Sequence, residues 1–484
     1  MTSSLAGSAA RGAAITILGQ LLRLGTQMIT LVVLARLLIP SEIGVVAMVT
    51  AIVGVGELVR DLGLSNASIQ AKDLSTPQRD NLFWISSSLG VVIGSSVALG
   101  SSLIAMLYGE VALQGVALAL ASTFVFNGLA AQHKASLARS LRFRALAVVE
   151  TAPPIVASVL AIVLAATGWS FWALVMQQIC QALLALVMVV VAARWMPGLP
   201  RRTDGMRPLV SYGAHLLGAQ MVAYLSRNID TIVSGVRFGP ASTGLYVRAF
   251  DLIINPLNQI SAPSTRVAMP ILSKLQSDED RYNAFLVRGQ KIMLIVVVPA
   301  LTAAIALADP LITLVLGENW TKAIPIFQIL AFAGIIRVCG YPTYWVALSR
   351  GATKISLYVN LVSTPVFVVG IILGSMLGIE GIALGFTIGT IATWVISLIW
   401  YRRAAAAPSR LLLLSALQMI AATVPATSVA WFAVELSSRW GAIAALAIGA
   451  AAYLAVYALT VFVVKPLRED LRTALSTVKL IRKR

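Results

Sequence analysis

Long apolar stretches alternate with short polar ones from near the start of the chain to about residue 464. A bilayer-spanning helix needs roughly 20 apolar residues, and about fourteen stretches meet that length. They fall at 12–38, 41–64, 81–107, 111–132, 146–167, 169–193, 209–235, 241–265, 289–315, 323–348, 355–377, 379–401, 410–434 and 440–464. The connections are too short to hold a soluble domain. The longest polar segments, 133–145, 194–208 and 266–288, all fall on one side of the alternation. Within the last of them, 272–286 mixes apolar and charged residues, which predicts an amphipathic helix along the membrane surface.

The pattern repeats. Pro40-Ser-Glu-Ile-Gly44 joins the first two apolar stretches, and Pro240-Ala-Ser-Thr-Gly244 joins the seventh and eighth. Gly168, followed by Ala173-Leu174, recurs as Gly378 followed by Ala383-Leu384. Two matches in the same order point to a duplicated bundle. The expected fold is an all-α polytopic membrane protein of about 14 transmembrane helices. Two repeated six-helix lobes would surround a central cavity, with two C-terminal helices added. The corresponding boundaries are 1–208 for the N-terminal lobe, 209–403 for its repeat, 404–464 for the extra pair and 465–484 for a basic tail.

Composition supports the membrane assignment. Hydrophobic residues make up 58% of the chain and charged residues 12%, against about a quarter charged in soluble domains. The first apolar run follows Arg11 without a clear small-x-small cleavage site, so it is expected to stay as a span. Cys180 and Cys339 both fall inside spans and offer no disulfide framework. With His133 and His215 as the only histidines, no metal site or other cofactor is expected.

The net charge of +18 does not indicate nucleic acid. With the N-terminus placed in the cytoplasm, the outward segments hold Arg36, Arg237, Lys322 and Arg439. Every other Lys and Arg outside the spans falls on the inward side. This is the positive-inside distribution; it places both termini in the cytoplasm and the basic surface against anionic membrane lipids.

Five arginines interrupt the spans: Arg23, Arg60, Arg227, Arg248 and Arg337. An intramembrane arginine costs about 2.5–3.5 kcal/mol on insertion scales, so each faces water, a carboxylate or the interface. Gln20, Arg23, Gln27 and Thr30 share one helical face in a span without any acid. Either a hydrated cavity or a carboxylate such as Glu57 or Asp61 on another helix answers Arg23. Glu57, Arg60 and Asp61 can neutralise one another on the second span. Gln220, Tyr224, Arg227 and Thr231 line the seventh, with Asp230 nearby; Arg248, Asp251, Asn255, Asn258 and Gln259 stripe the eighth. Arg337 with Tyr341, Tyr344 and Trp345 makes a polar-aromatic patch on the tenth, suited to a sugar or to the interface. Pro153, Pro154, Pro256, Pro263, Pro299, Pro342, Pro365 and Pro425 lie within spans as bends or hinges.

The run Asp230-Thr-Ile-Val-Ser-Gly235, then Pro240-x3-Gly244-Leu-Tyr246-x-Arg248-Ala249, resembles the start of the second lobe in bacterial polysaccharide flippases. Asn255-Pro256, Val267-Ala-Met-Pro270 and Leu316-Gly-Glu-Asn-Trp320-Thr-Lys-Ala323 continue the likeness. These flippases belong to the multidrug/oligosaccharidyl-lipid/polysaccharide (MOP) exporter superfamily. The resemblance implies a flippase in the bacterial inner membrane that turns over an undecaprenyl-diphosphate-linked oligosaccharide. It would act beside glycosyltransferases and a polysaccharide polymerase. It also implies substrate-binding roles for cavity arginines, with Arg23, Arg60 and Arg248 the nearest counterparts. Gln20, Gln27, Arg227, Asn255, Arg337 and Tyr341 complete the candidate set, and Asp230 and Asp251 are candidates for ion coupling.

Two relatives of that function compete: a cell-wall lipid-precursor flippase, and a cation-coupled multidrug antiporter. Drug exporters place carboxylates deep in a lobe; an arginine in the first span favours an anionic substrate instead. An integral-membrane polymerase or ligase needs a sizeable outer loop with catalytic groups, and the outer loops here are only a few residues long.

Overall fold

The computed structural model describes residues 22–71 and 73–471. Every regular element among them is helical, and eleven helices are long and apolar enough to cross a membrane. Residues 22–37 and the long helix 206–274, which the sequence assigns to spans one, seven and eight, are outside those eleven. Contacts along the chain divide it into two compact units, Met1–Gly244 and Leu245–Arg484.

In the first unit, α1 covers 22–37 and α2 covers Pro40–Asp61. Pro40 starts α2 where its missing N–H costs nothing, and the Glu42 carboxylate accepts the Ile39 N–H at 2.9 Å. After α3 (Leu64–Gln70), a reciprocal cap opens α4 (Thr76–Leu99). There the Gln78 N–H donates to the Ser75 hydroxyl at 3.3 Å, and the Ser75 N–H donates to Gln78 Oε1 at 3.0 Å. The unit continues through α5 (Ser101–Tyr108), α6 (Ala112–Arg139), α7 (Phe143–Ala166) and α8 (Trp172–Ala193). Next comes α9, Met206–Lys274, interrupted at Gly239 (φ 71°, ψ −173°). That conformation is open to glycine and strained for other residues, and Pro240 restarts the helix beyond it.

The second unit holds α10 (Glu279–Ala306), α11 (Ala308–Val315), α12 (Ile324–Ser349), α13 (Thr353–Gly374), α14 (Ile379–Ala405), α15 (Ser409–Ser437) and α16 (Ala442–Val463). The span containing α12 is 61% buried and α16 only 17%, so α12 is the core helix of this unit and α16 lies at its periphery. Exposed apolar side chains such as Phe432 and Leu454 suit hydrocarbon rather than water.

The sequence matches reappear as backbone geometry. Gly168 and Gly378 both adopt positive φ, 86° and 94°, just ahead of α8 and α14. Ala173 and Ala383 are both fully buried. The Pro-x3-Gly pair is in physical contact. A Cβ on Gly44 would overlap the Pro240 carbonyl, and a Cβ on Gly244 would overlap the Pro40 carbonyl. From there α2 runs antiparallel to the first segment of α9. Gly235 lies against Met48, Tyr224 against Gly54, and Gly213 against Gly63. This α2–α9 seam is glycine-lined throughout, as close helix approach in a bilayer requires.

Two expected connections are helical instead. The 133–145 segment does not begin a loop, because α6 continues to Arg139. No surface helix covers 272–286: α9 runs to Lys274, and α10 begins at Glu279 after the Asp278 carboxylate caps the Arg281 N–H at 3.1 Å. The mixed composition belongs to two helix ends rather than to one amphipathic helix. The expected prolines are carried inside helices, including Pro153 and Pro154 in α7, Pro299 in α10 and Pro342 in α12.

Candidate functional site

In the first unit the polar groups gather where α2, α6 and α7 meet. Arg60 and Glu57 share one face of α2, and Arg60 Nε donates to Glu57 Oε2 at 2.8 Å. Asn127 of α6 closes the ring. Its Nδ2 donates to Glu57 Oε1 at 2.9 Å, and its carbonyl accepts from Arg60 Nη1 at 3.2 Å. Arg60 is only 9% exposed, so this network offsets a large desolvation cost. Asp61 is engaged separately, accepting the Ser65 hydroxyl at 2.5 Å.

Lys134 lies about two turns beyond Asn127 on the same face of α6 and is half-buried. The charges of Glu150, Arg60, Glu57 and Arg23 all reach it. The cluster thus holds three cations, Arg23, Arg60 and Lys134, against two carboxylates, Glu57 and Glu150. Sequence reasoning counted Lys134 as a connecting residue and did not single out Glu150. The available signal was the Asn127–Lys134 spacing, which keeps helical phase past the end of the apolar run. On α1, Arg23 and Gln27 are exposed and Thr30 is buried; Gln20 lies outside the described residues.

On the first segment of α9, the Tyr224 hydroxyl donates to the Ala51 carbonyl at 3.1 Å and the Thr50 carbonyl at 3.4 Å. Gly54 makes room for that ring. Gln220 is half-buried. Arg227 is exposed whereas Asp230 is buried, with Oδ1 accepting the Thr231 N–H at 2.8 Å. The two therefore occupy different environments despite their spacing.

In the second unit, Arg248 and Asp251 sit one turn apart on α9. Arg248 Nη1 lies 3.7 Å from Asp251 Oδ2, and Asn255 Nδ2 donates to Asp251 Oδ1 at 2.7 Å. Arg248 is 7% exposed and its buried Nε has no hydrogen-bond partner among the described residues, while Asn255 is exposed. The α12 patch docks onto the same stretch of α9. The Tyr341 hydroxyl donates to the Leu257 carbonyl at 2.9 Å, and Trp345 Nε1 donates to Thr265 Oγ1 at 3.2 Å. Arg337 is half-buried beside Tyr341. The structure thus joins Arg248, Asp251 and Asn255 in one chain of polar contacts, and anchors Tyr341 beside it. Among the described residues, no group of three or more His, Cys, Asp or Glu is placed to hold a metal ion.

Among the described residues, eleven helices long and apolar enough to cross a membrane, with bonded charges held inside some of them, define a multi-pass membrane protein. A family model described as "Polysaccharide biosynthesis protein" matches residues 33–325. The chain belongs to that family. It is similar to the lipopolysaccharide biosynthesis protein WzxC of Escherichia coli (strain K12), with 26% identity over 381 residues, 77% of each chain. It is 30% identical over 308 residues to the teichuronic acid biosynthesis protein TuaB of Bacillus subtilis (strain 168), covering 62% of this chain and 63% of that protein. The solved structure of the lipid II flippase MurJ in its inward closed conformation has the same fold. Its TM-score is 0.67 at 14% identity, over 92% of this chain and 99% of that one. These findings bear out the resemblance to MOP-superfamily polysaccharide flippases.

Proposed function

We propose that the protein flips an undecaprenyl-diphosphate-linked oligosaccharide repeat unit across the bacterial inner membrane, for exopolysaccharide, O-antigen or capsule biosynthesis. The observation that carries this reading is the family match over 33–325, which includes Arg60, Lys134, Arg248 and Asp251 and leaves Arg23, Arg337 and Tyr341 outside it. The two relatives named for lipopolysaccharide and teichuronic acid biosynthesis support it. In this reading fourteen helices form two six-helix lobes, 1–208 and 209–403, around a central cavity. Helices in 404–464 and the basic tail 465–484 follow, and both termini are cytoplasmic. Glycosyltransferases and a polymerase act before and after it.

The chemistry suits the residues. The lipid tail stays in the bilayer while sugars and diphosphate cross, and guanidinium groups bind phosphate oxygens in pairs. The excess of cations around Lys134 favours an anionic cargo over a cationic drug. Arg23 is the exposed member and serves as the first contact. Arg60 is tied into its ring and acts mainly through its field. Arg248 and Asn255 form a second station, with Arg227, Gln27, Arg337 and Tyr341 lining the path. Asp251 and Asp230 are the groups that would couple an ion.

Deleting the gene should stop surface polysaccharide and leave the lipid-linked unit on the inner leaflet. Unchanged polysaccharide in a strain without a second such transporter rejects the reading. Arg23→Ala should reduce export at least tenfold at normal expression, while Arg23→Lys retains part of it. Full export by Arg23→Ala removes Arg23 from the path.

A further inference from the structure

A cavity separate from both clusters lies in the first unit between α3, α4 and α6. Its volume is about 350 Å³, within the range of small-ligand sites, ~300–1,000 Å³. Arg79 and Arg139 line it together with Ser68, Thr76, Gln132 and Ser136, and among the described residues lining it there is no carboxylate. Thr76 is the first residue of α4, so the positive end of a long helix contributes to the wall.

Most of this wall is fixed in place. The Ser68 hydroxyl donates to Gln132 Oε1 at 2.7 Å, and Gln132 Nε2 donates to Ser86 Oγ at 3.3 Å. Arg139 Nη1 donates to the Ser68 carbonyl at 3.0 Å and also to the Ala71 carbonyl. Arg79 is different. Its guanidinium carbon lies over the Trp195 ring, 4.0 Å from the centroid. Its Nε is buried without a hydrogen-bond partner among the described residues. Asp80 contributes an opposing field, but its carboxylate lies against Gly198 and does not line the cavity. A guanidinium held over an indole by cation–π attraction still has N–H donors to offer a planar or tetrahedral oxyanion.

We propose that this cavity binds the phosphate of a membrane lipid, with Arg79 and Arg139 on its oxygens and the Thr76 and Ser136 hydroxyls completing the shell. Leu74 and Ala135 supply apolar wall for the esterified group. The phosphate comes either from a glycerophospholipid headgroup or from a polyprenyl phosphate carrier. The proposal does not depend on which sugar the protein exports.

The test uses the purified full-length protein, delipidated in detergent and titrated by native mass spectrometry. The probes are phosphatidylglycerol against diacylglycerol, and undecaprenyl phosphate against undecaprenol. One phosphate-bearing lipid should be retained per chain, at least tenfold more tightly than its phosphate-free counterpart. Whichever pair shows the larger ratio identifies the source. Arg79→Gln should lower that ratio at least fivefold. Ser136→Glu, which leaves the Ser68–Gln132 and Arg139 bonds intact, should abolish retention in a protein that elutes and melts like wild type. Equal retention of a lipid with and without phosphate overturns the proposal, as does unchanged retention by folded Ser136→Glu.

Discussion

Gly44→Ala is expected to cut export by roughly 5- to 150-fold, and Gly244→Ala to do the same. Each added Cβ overlaps a backbone carbonyl, Pro240 for the first and Pro40 for the second. Neither obstacle is a flexible side chain that can turn aside. Overpacking of this kind costs about 1–3 kcal/mol, and that energy applied to a conformational equilibrium gives the stated range. Helix propensity favours Ala over Gly by ~1 kcal/mol, but equally in the closed and parted arrangements, so it cancels from this equilibrium. If the seam opens and closes during transport, Gly44→Ala stays folded but favours the parted arrangement.

A cysteine at Ser41, in a protein lacking Cys180 and Cys339, should then label faster with a membrane-impermeant maleimide. The double variant should cost less than the sum of the singles, because one separation relieves both overlaps. Wild-type export and labelling in both single variants would show that the seam is static packing.

The second large effect concerns the ring of Arg60, Glu57 and Asn127. Glu57→Ala leaves Arg60, 11% exposed at its side chain, with only the Asn127 carbonyl. Breaking a buried pair from one side costs ~3 kcal/mol, the low end of the usual range, and the 28% exposure of Glu57 argues for that end. Removing both charges as Glu57→Gln/Arg60→Met should recover most of the lost thermal stability, because no uncompensated charge remains. Export should not recover with it if Arg60 contributes field to the Lys134 cluster. Thermal melts and export measured on wild type and these two variants separate the roles. A double variant as unstable as Glu57→Ala contradicts the pairing account, and one with full export contradicts the electrostatic one.

Much of the architecture was legible because hydrocarbon imposes a length. Apolar runs long enough to span had little option but to be helices, and the prolines did not break them. Segment 272–286 was misread because hydropathy records where charge begins, not where a helix ends. Lys274 and Glu279 belong to two different helices that extend past the apolar zone. The same limit placed Lys134 in a connection, although Gln132, His133 and Lys134 continue the hydrogen-bonded path of α6.

Candidate sites were legible one helix at a time. The Glu57–Arg60 and Arg248–Asp251 pairings follow from helical spacing and were visible in advance. Asn127 closes the first ring from 67 residues away from Arg60, and no local periodicity reports it. Spacing also did not report that Arg227 is exposed while Asp230 is buried.

The reciprocal contact of Pro40 with Gly244 and Pro240 with Gly44 has a consequence for how such transporters diversify. It consists of backbone carbonyls and missing side chains, so it reads nothing about a cargo. Arginines, amides and aromatic rings elsewhere in the helices can be exchanged to suit a new sugar without altering it. A transporter built this way separates the problem of moving from the problem of choosing. Chimeras that graft the polar positions of one such protein onto the seam of another should change selectivity while keeping turnover.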